Sequence, residues 1–355
     1  MPPGPKPASR LIPGCPRIAA LPRLRSRCGD LKMASLISQA TAFGVRLSRI
    51  GRHFTDERAL AAHLKNGRVG PARPPAWMRR GFDISSKMRN GREVYTVAPR
   101  RGRRQGGDPE AGNVMYIHGG AYVQGIFRWH WYFIAAMAER LGMTFTVPLY
   151  PLAPEHDCAA ASAAVLGVYR ELLAHGDASR LVVMGDSAGG GLATSLAMQA
   201  VAAGLAKPAA LVLLSPWLDV TMTDPAQIEL EKVDPLLVRA GPKAAGRWYA
   251  GAMSTTDPRV SPLYGEIADL PPILMFCGTH DILLTDARRL AARAAAEGGD
   301  VEYHEEPGLM HVYPLLFFPE SGKARDRIAR FVRDCVGKPP PASAPRSLHD
   351  GRPAN

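Results

Sequence analysis

Residues 181–192 read LVVMGDSAGGGL, a run in which an apolar stretch gives way to glycine and alanine around a single serine, Ser187. Gly185 and Gly189 flank it in a Gly-x-Ser-x-Gly pattern. Between a strand and a helix this pattern is a sharp turn that lifts the hydroxyl from the strand end. A free serine hydroxyl is a weak nucleophile. It needs a base to take its proton, a group to orient that base, and N–H donors for the oxyanion formed on attack at a carbonyl. Without those parts the stretch is a tight turn or a phosphate-binding strand end.

The chain offers candidates for each part. NVMYIHGGAYVQG, residues 113–125, leaves a strand-like run at His118 and continues through Gly119, Gly120 and Ala121. Residues this small let backbone N–H groups face an open cavity, and the N–H of Ala188, directly after the serine, is a further donor. His118 reads as an anchor of that loop, and Asp186 as a hydrogen-bonding group on the far side of the turn. The orienting acid should stand just past a strand end. Asp281 does so after ILMFCG, with Asp219 after LLSPWL and Asp286 on a helix-like run as rivals. His311, in the turn leaving VEYHEEPGLM, is the candidate base. Its rivals are His280, which adjoins Asp281 and cannot easily face it, and His304, which lies inside a strand-like run.

The elements that would position these groups alternate along the chain. EVYTVAP, NVMYIHG, FTVPLYP, LVVMGD, ALVLLSP, ILMFCG and VEYHEEP are strand-like; residues 128–141, 157–174, 188–204, 284–297 and 321–335 are helix-like. Short, continuously apolar strands spaced by helices predict an α/β protein with a mainly parallel sheet covered on both faces. The segment 222–262 breaks this rhythm and, with residues 34–80, forms a candidate lid.

Composition narrows the function class. With 355 residues and 46% hydrophobic content the chain can bury a large core. No run approaches the ~20 apolar residues that cross a bilayer, so no stable membrane insertion is expected. The net charge of +12 is concentrated at the ends: residues 1–32 hold seven Lys and Arg against Asp30, and residues from 338 onward hold three against Asp350. These basic regions carry no interleaved aromatics and no recognisable module, which argues against nucleic acid. Five cysteines without C-x-x-C spacing give neither a disulfide framework nor a metal site, and a cytoplasmic setting follows. Cys277 reads as a small buried hydrophobe.

HGGAY, YPLAPEH, GDSAGG, GTHDILL and GLMHVY, in that order, resemble the blocks of the bacterial hormone-sensitive-lipase-like esterases, the α/β hydrolase fold-3 carboxylesterases that include monoterpene ε-lactone hydrolases. The resemblance spans about residues 36–336. It implies an α/β-hydrolase fold, with a mainly parallel eight-stranded sheet flanked by helices and a helical cap. The implied organisation is N-terminal cap helices over 33–80 and a catalytic domain over 81–337, with a cap insertion at about 222–262. Residues 1–32 are expected to be disordered, or to precede a natural start at Met33, and residues 338–355 to form a disordered tail. The resemblance further implies Ser187 as nucleophile, His311 as base, Asp281 as its orienting acid, and Gly119, Gly120 and Ala188 as oxyanion donors. Tyr122, Trp217, Met222, Leu236, Leu237, Trp248 and Tyr249 are the candidate pocket wall. The implied activity is hydrolysis of short-chain or small esters through an acyl-enzyme, with lactone opening as the alternative and no cofactor or metal. The expected partner is a small ester or lactone, and a homodimer is the assembly to test. A non-catalytic receptor of this kind lacks the histidine that this chain keeps at His311. The chain departs from the family at Ile282, where proline is common, and at Tyr313, where phenylalanine is common and a hydroxyl could reach the site.

Overall fold

The computed structural model describes residues 34–48, 51, 54–66, 72–100, 102 and 112–338. The expectations for residues 1–32, and for the tail past residue 338, lie outside the described residues. Eight strands form one sheet: β1 (Phe82–Arg89), β2 (Arg92–Pro99), β3 (Asn113–Ile117), β4 (Thr144–Pro148), β5 (Leu181–Asp186), β6 (Ala210–Leu214), β7 (Ile273–His280) and β8 (Val301–Met310). Their spatial order is β1-β2-β4-β3-β5-β6-β7-β8. β1 and β2 pair antiparallel, as do β2 and β4, and all other pairs are parallel. β1 is absent from the strand-like runs of the sequence because its exposed, polar residues carry little β signal. Its turn is nevertheless written in the chain. Asn90 and Gly91 adopt φ values of 47° and 74°, the consecutive left-handed pair that a tight two-residue hairpin needs.

The parallel strands are apolar on both faces because both faces are covered. Met115, Ile117, Val183, Leu211, Leu213, Met275 and Cys277 point to one side. There they meet α4 (Cys158–His175), α5 (Ala188–Ala202) and α8 (Leu284–Glu297). Their sequence neighbours Val114, Tyr116, Val182, Met184, Val212, Leu214, Leu274 and Phe276 point to the other side, toward α3 (Arg128–Leu141) and α9 (Pro319–Cys335). This alternation of direction at constant hydrophobicity is the period of two expected of a strand buried on both faces.

Two segments outside this sandwich pack on each other. α1 (Leu36–Ser48) and α2 (Glu57–Lys65) meet α6 (Gln227–Val233) and α7 (Ala240–Ala250) of the 222–262 segment. Arg46 donates to the Lys232 carbonyl at 3.0 Å, and Arg247 pairs with Glu57 at 2.6 Å. A methyl group on Gly241 would meet the Phe54 carbonyl oxygen at 2.1 Å, so the close approach of the two segments requires glycine there.

Phe145, on β4 between β2 and β3, is fully buried among Val97, Tyr116 and their neighbours. Replacing it with alanine removes a large ring from a close-packed interior and is expected to cost about 3–5 kcal/mol. The check is urea unfolding of F145A against wild type, read as a lower midpoint at unchanged slope.

Candidate active site

β5 ends at Asp186 and α5 begins at Ala188, leaving Ser187 alone at the bend with φ 52° and ψ −124°. That backbone region is strained for a residue with a side chain. The turn is held by its own amides. The Ser187 N–H donates to Leu214 O at 2.9 Å, and the Ser187 carbonyl accepts from Gly190, Gly191 and Trp217 at 2.9, 3.1 and 2.9 Å. A methyl group on Gly185 would strike the Gly189 carbonyl at 2.3 Å, and one on Gly189 the Ile117 carbonyl at 2.1 Å. Both glycines of the pattern are therefore required by space.

His311 follows β8, and its Nε2 lies 3.0 Å from Ser187 Oγ. Its Nδ1–H donates to Asp281 Oδ2 at 2.9 Å, which leaves Nε2 free to accept the serine proton. Asp281 is fully buried just beyond β7, and its Oδ1 accepts the Leu283 N–H at 2.9 Å. The Ile282 departure therefore leaves the acid in reach of the imidazole. Burial acts to lower the His311 pKa, but Asp281, with Asp234 and Asp186 adding to it, outweighs burial, and the net shift is upward. The loop carrying His311 is pinned by Ser215 at the end of β6, whose hydroxyl accepts the Val312 N–H at 3.0 Å.

The rivals lie elsewhere. Asp219 Oδ2 is taken by Arg289 and the Tyr264 hydroxyl, each at 2.9 Å. Asp286 accepts the Leu218 and Asp219 amides at 2.8 and 2.9 Å, and burial pushes its carboxyl up to about 7. His304 bonds Glu302 at 2.7 Å and accepts from Arg327 at 2.8 Å, on the far side of Phe276. His280 sits at the end of β7, where burial and nearby Arg46 lower its pKa. None of the four reaches Ser187.

The loop after β3 carries the candidate oxyanion donors. His118 anchors it: Nδ1–H donates to Gly119 O at 2.7 Å, the ring stacks on Tyr150 at 4.5 Å, and the Tyr150 hydroxyl donates to His118 O at 2.8 Å. Burial pulls the His118 pKa down to about 4, so the ring is neutral. Gly119 departs from its expected role. Its N–H donates to Asp186 Oδ1 at 3.0 Å, the same oxygen that accepts from the Tyr116 hydroxyl at 2.6 Å. His130 holds the other oxygen at 3.3 Å, its Nδ1 accepting the Phe127 N–H at 2.8 Å and so leaving Nε2–H to donate. Burial works against the Asp186 anion, yet His130 and these donors keep its pKa below the ordinary range. Beyond Gly119 the chain turns through Gly120, Ala121 and Tyr122, with φ values of 121°, 53° and 62°. Among the described residues, no acceptor engages the N–H groups of Gly120, Ala121 or Ala188.

The candidate pocket residues fall into two groups. Tyr122 stacks on Tyr249 at 3.6 Å and on Trp217 at 5.4 Å, and Trp217 Nε1 donates to Asp219 O and to Met222 Sδ. Leu237 and Trp248 are half-buried against the same core, whereas Leu236 and Leu237 also donate their N–H groups to Asp234. Tyr313 does not bring a hydroxyl to the serine. Its ring meets Phe276 edge-on at 6.4 Å, in the layer of α3 and α9. Asp234 is a buried acid near the site that sequence reasoning missed, since it sits in the insertion and carries no pattern. The described residues contain no cluster of His, Cys, Asp or Glu suited to a metal ion, and no helix long and apolar enough to cross a membrane.

Comparison with known proteins agrees with this geometry. A family model described as alpha/beta hydrolase fold matches residues 114–315, more than half of the chain. An esterase of Acinetobacter venetianus is 34% identical over 225 residues, covering 62% of this chain and 74% of its own. An acetyl-hydrolase of Streptomyces hygroscopicus is 32% identical over 231 residues, covering 63% and 76%. The crystal structure of an esterase from the bacterial hormone-sensitive lipase family superposes with a TM-score of 0.71 at 30% identity, covering 86% of this chain and all of that one. A sheet of this order, a serine on its strained elbow and relatives of this kind together make the chain a member of the α/β-hydrolase family, within its bacterial hormone-sensitive-lipase-like esterases.

Proposed function

We propose that this chain is a serine carboxylic-ester hydrolase that cleaves short-chain or small esters through an acyl-enzyme. The observation that carries the reading is the continuous line from Ser187 Oγ to His311 Nε2 at 3.0 Å, and from His311 Nδ1 to Asp281 at 2.9 Å. His311 takes the serine proton as Oγ attacks the ester carbonyl. The oxyanion is received by the Gly120, Ala121 and Ala188 N–H groups, Ala121 standing where Gly119 was expected. Each such donor is worth roughly 3–4 kcal/mol to the transition state. Imidazolium at His311 then hands its proton to the leaving alkoxide. A water, deprotonated by the same nitrogen, attacks the acyl carbonyl and frees Ser187.

The substrate is held small by the ring stack of Tyr122, Tyr249 and Trp217, which fills the space behind the oxyanion loop with buried aromatic surface. α1, α2 and the 222–262 segment act together as the cap over it. The free thiols Cys158, Cys277 and Cys335 suit a reducing compartment, in keeping with a cytoplasmic setting.

Ser187→Ala is expected to abolish turnover of p-nitrophenyl acetate and labelling by a fluorophosphonate while leaving the unfolding midpoint within experimental scatter; retained turnover would contradict the assignment. Asp281→Asn, which removes the carboxylate bonded to His311 Nδ1, is expected to lower kcat by about 10⁴-fold. Because the neutral imidazole is the base and its pKa is raised, kcat/KM in the wild type should fall on acidification with a midpoint above the ordinary histidine value of about 6.5. A midpoint below that value in the pH profile speaks against the pairing. In a panel of esters and lactones, acetate and butyrate are expected to exceed decanoate in kcat/KM, and ring substrates measured beside them set the lactone alternative against the linear one.

A further inference from the structure

We infer that Asp234 is a positioning residue for the same reaction: its carboxylate, carried between α6 and α7, bonds the residue next to Asp281 and ties the insertion to the orientation and charge of the Asp281–His311 pair. The inference rests on the ester-hydrolase reading of Ser187, Asp281 and His311. Asp234 is only 6% exposed. Its Oδ1 accepts the Leu236 and Leu237 N–H groups at 2.8 and 2.9 Å, which closes the turn leading into α7. Its Oδ2 accepts the Ile282 N–H at 2.9 Å. The following amide, Leu283 N–H, is bound by Asp281 itself. Two carboxylates from distant parts of the chain therefore hold two consecutive amides of one turn, and that turn aims Asp281 at His311.

Among the described residues, no cation of the insertion or of α1 pairs with Asp234. Lys232 is engaged by Glu229 at 2.7 Å, Arg239 by Glu231 at 3.0 Å, and Arg46 of α1 reaches the Lys232 carbonyl. Among the described residues, the titratable groups that act most on Asp234 are Asp281, beyond β7, and His311, beyond β8. Burial, with Asp281 beside it, pushes the Asp234 carboxyl up to about 6, and Asp234 in turn favours the protonated form of His311. Two buried carboxylates, one in contact and one beyond it, thus favour the protonated imidazole. When His311 takes the proton of Ser187, the positive charge meets Asp281 in direct contact and Asp234 at longer range. A displaced insertion would remove one of them and free the Ile282 amide.

The test uses the full chain with Asp234→Asn and Asp234→Ser. The asparagine keeps an acceptor for Leu236 and Leu237 but presents an NH₂ group to the Ile282 N–H; the serine keeps a short acceptor and cannot span to Ile282. Loss of an anion lowers the affinity of His311 for its proton, so the acid limb of kcat/KM for p-nitrophenyl acetate should move to lower pH by about 3- to 10-fold in proton concentration. With it kcat should fall about 10-fold, while KM stays within about 2-fold. Active-site titration with a fluorophosphonate and thermal unfolding fix the folded, competent fraction of each variant. An acid limb that stays in place, or a kcat loss equal to the lost competent fraction, overturns the inference and leaves Asp234 as a turn-former. A wild-type chain that neither turns over the ester nor labels at Ser187 overturns the functional reading itself; a labelled wild type with unshifted variants overturns only the role of Asp234.

Discussion

The site depends on one strained backbone position. Holding Ser187 at φ 52° costs of order 1–3 kcal/mol, and the surrounding structure must over-determine it. It does so by burying β5 between β3 and β6, by giving the Ser187 carbonyl three donors, and by leaving no room for side chains at Gly185 and Gly189. A methyl group at Gly119 would lie 2.3 Å from an Asp186 oxygen and 3.0 Å from the Ser187 Cβ, so the loop after β3 is pressed against the same bend. Once the hydroxyl is fixed in space, His311 and the free amides need only meet it.

The buried carboxylates around this point have different partners and so different electrostatics. Asp186 has three donors, the Tyr116 hydroxyl, the Gly119 N–H and the His130 imidazole, and remains an anion well into the acid range despite full burial. Asp286 accepts two amides yet rises to about 7, because burial dominates and Asp219 adds a like charge. Asp281 faces His311 directly and Asp234 stands behind it. Side-chain type alone does not distinguish these four residues; the number and charge of their partners do.

That difference explains what was legible in the sequence. The central strands were readable because each is apolar on both faces, and the helices because they fill the intervals; α3 and α8 match the expected 128–141 and 284–297 residue for residue. Ser187, Asp281 and His311, which the structure brings into one hydrogen-bonded line, could be singled out because each stands at a strand end, a position that sequence can mark. β1 was hidden by its exposure, although Asn90-Gly91 announced a hairpin. That the Ala121 N–H is left open while the Gly119 N–H is taken by Asp186 was hidden for another reason. It turns on consecutive left-handed residues at Ala121 and Tyr122, types that give no sign of positive φ. Asp234 was invisible because the partner that joins it to the site, the Ile282 N–H, lies 48 residues away, outside an insertion with no repeating pattern.

The contact between α2 and α7 also orders events in time. Glu57 and Arg247 are 190 residues apart in sequence, and Arg46 and the Lys232 carbonyl 186. A ribosome therefore releases α1 and α2 long before the surface they cover exists, and the closure entropy of that long loop must be met by contacts formed late. The sheet and its elbow can assemble first as the strands appear in turn. The packing of α1 and α2 on the 222–262 segment is then completed by earlier residues of the nascent chain returning to later ones, after the bend at Ser187 has its strands in place.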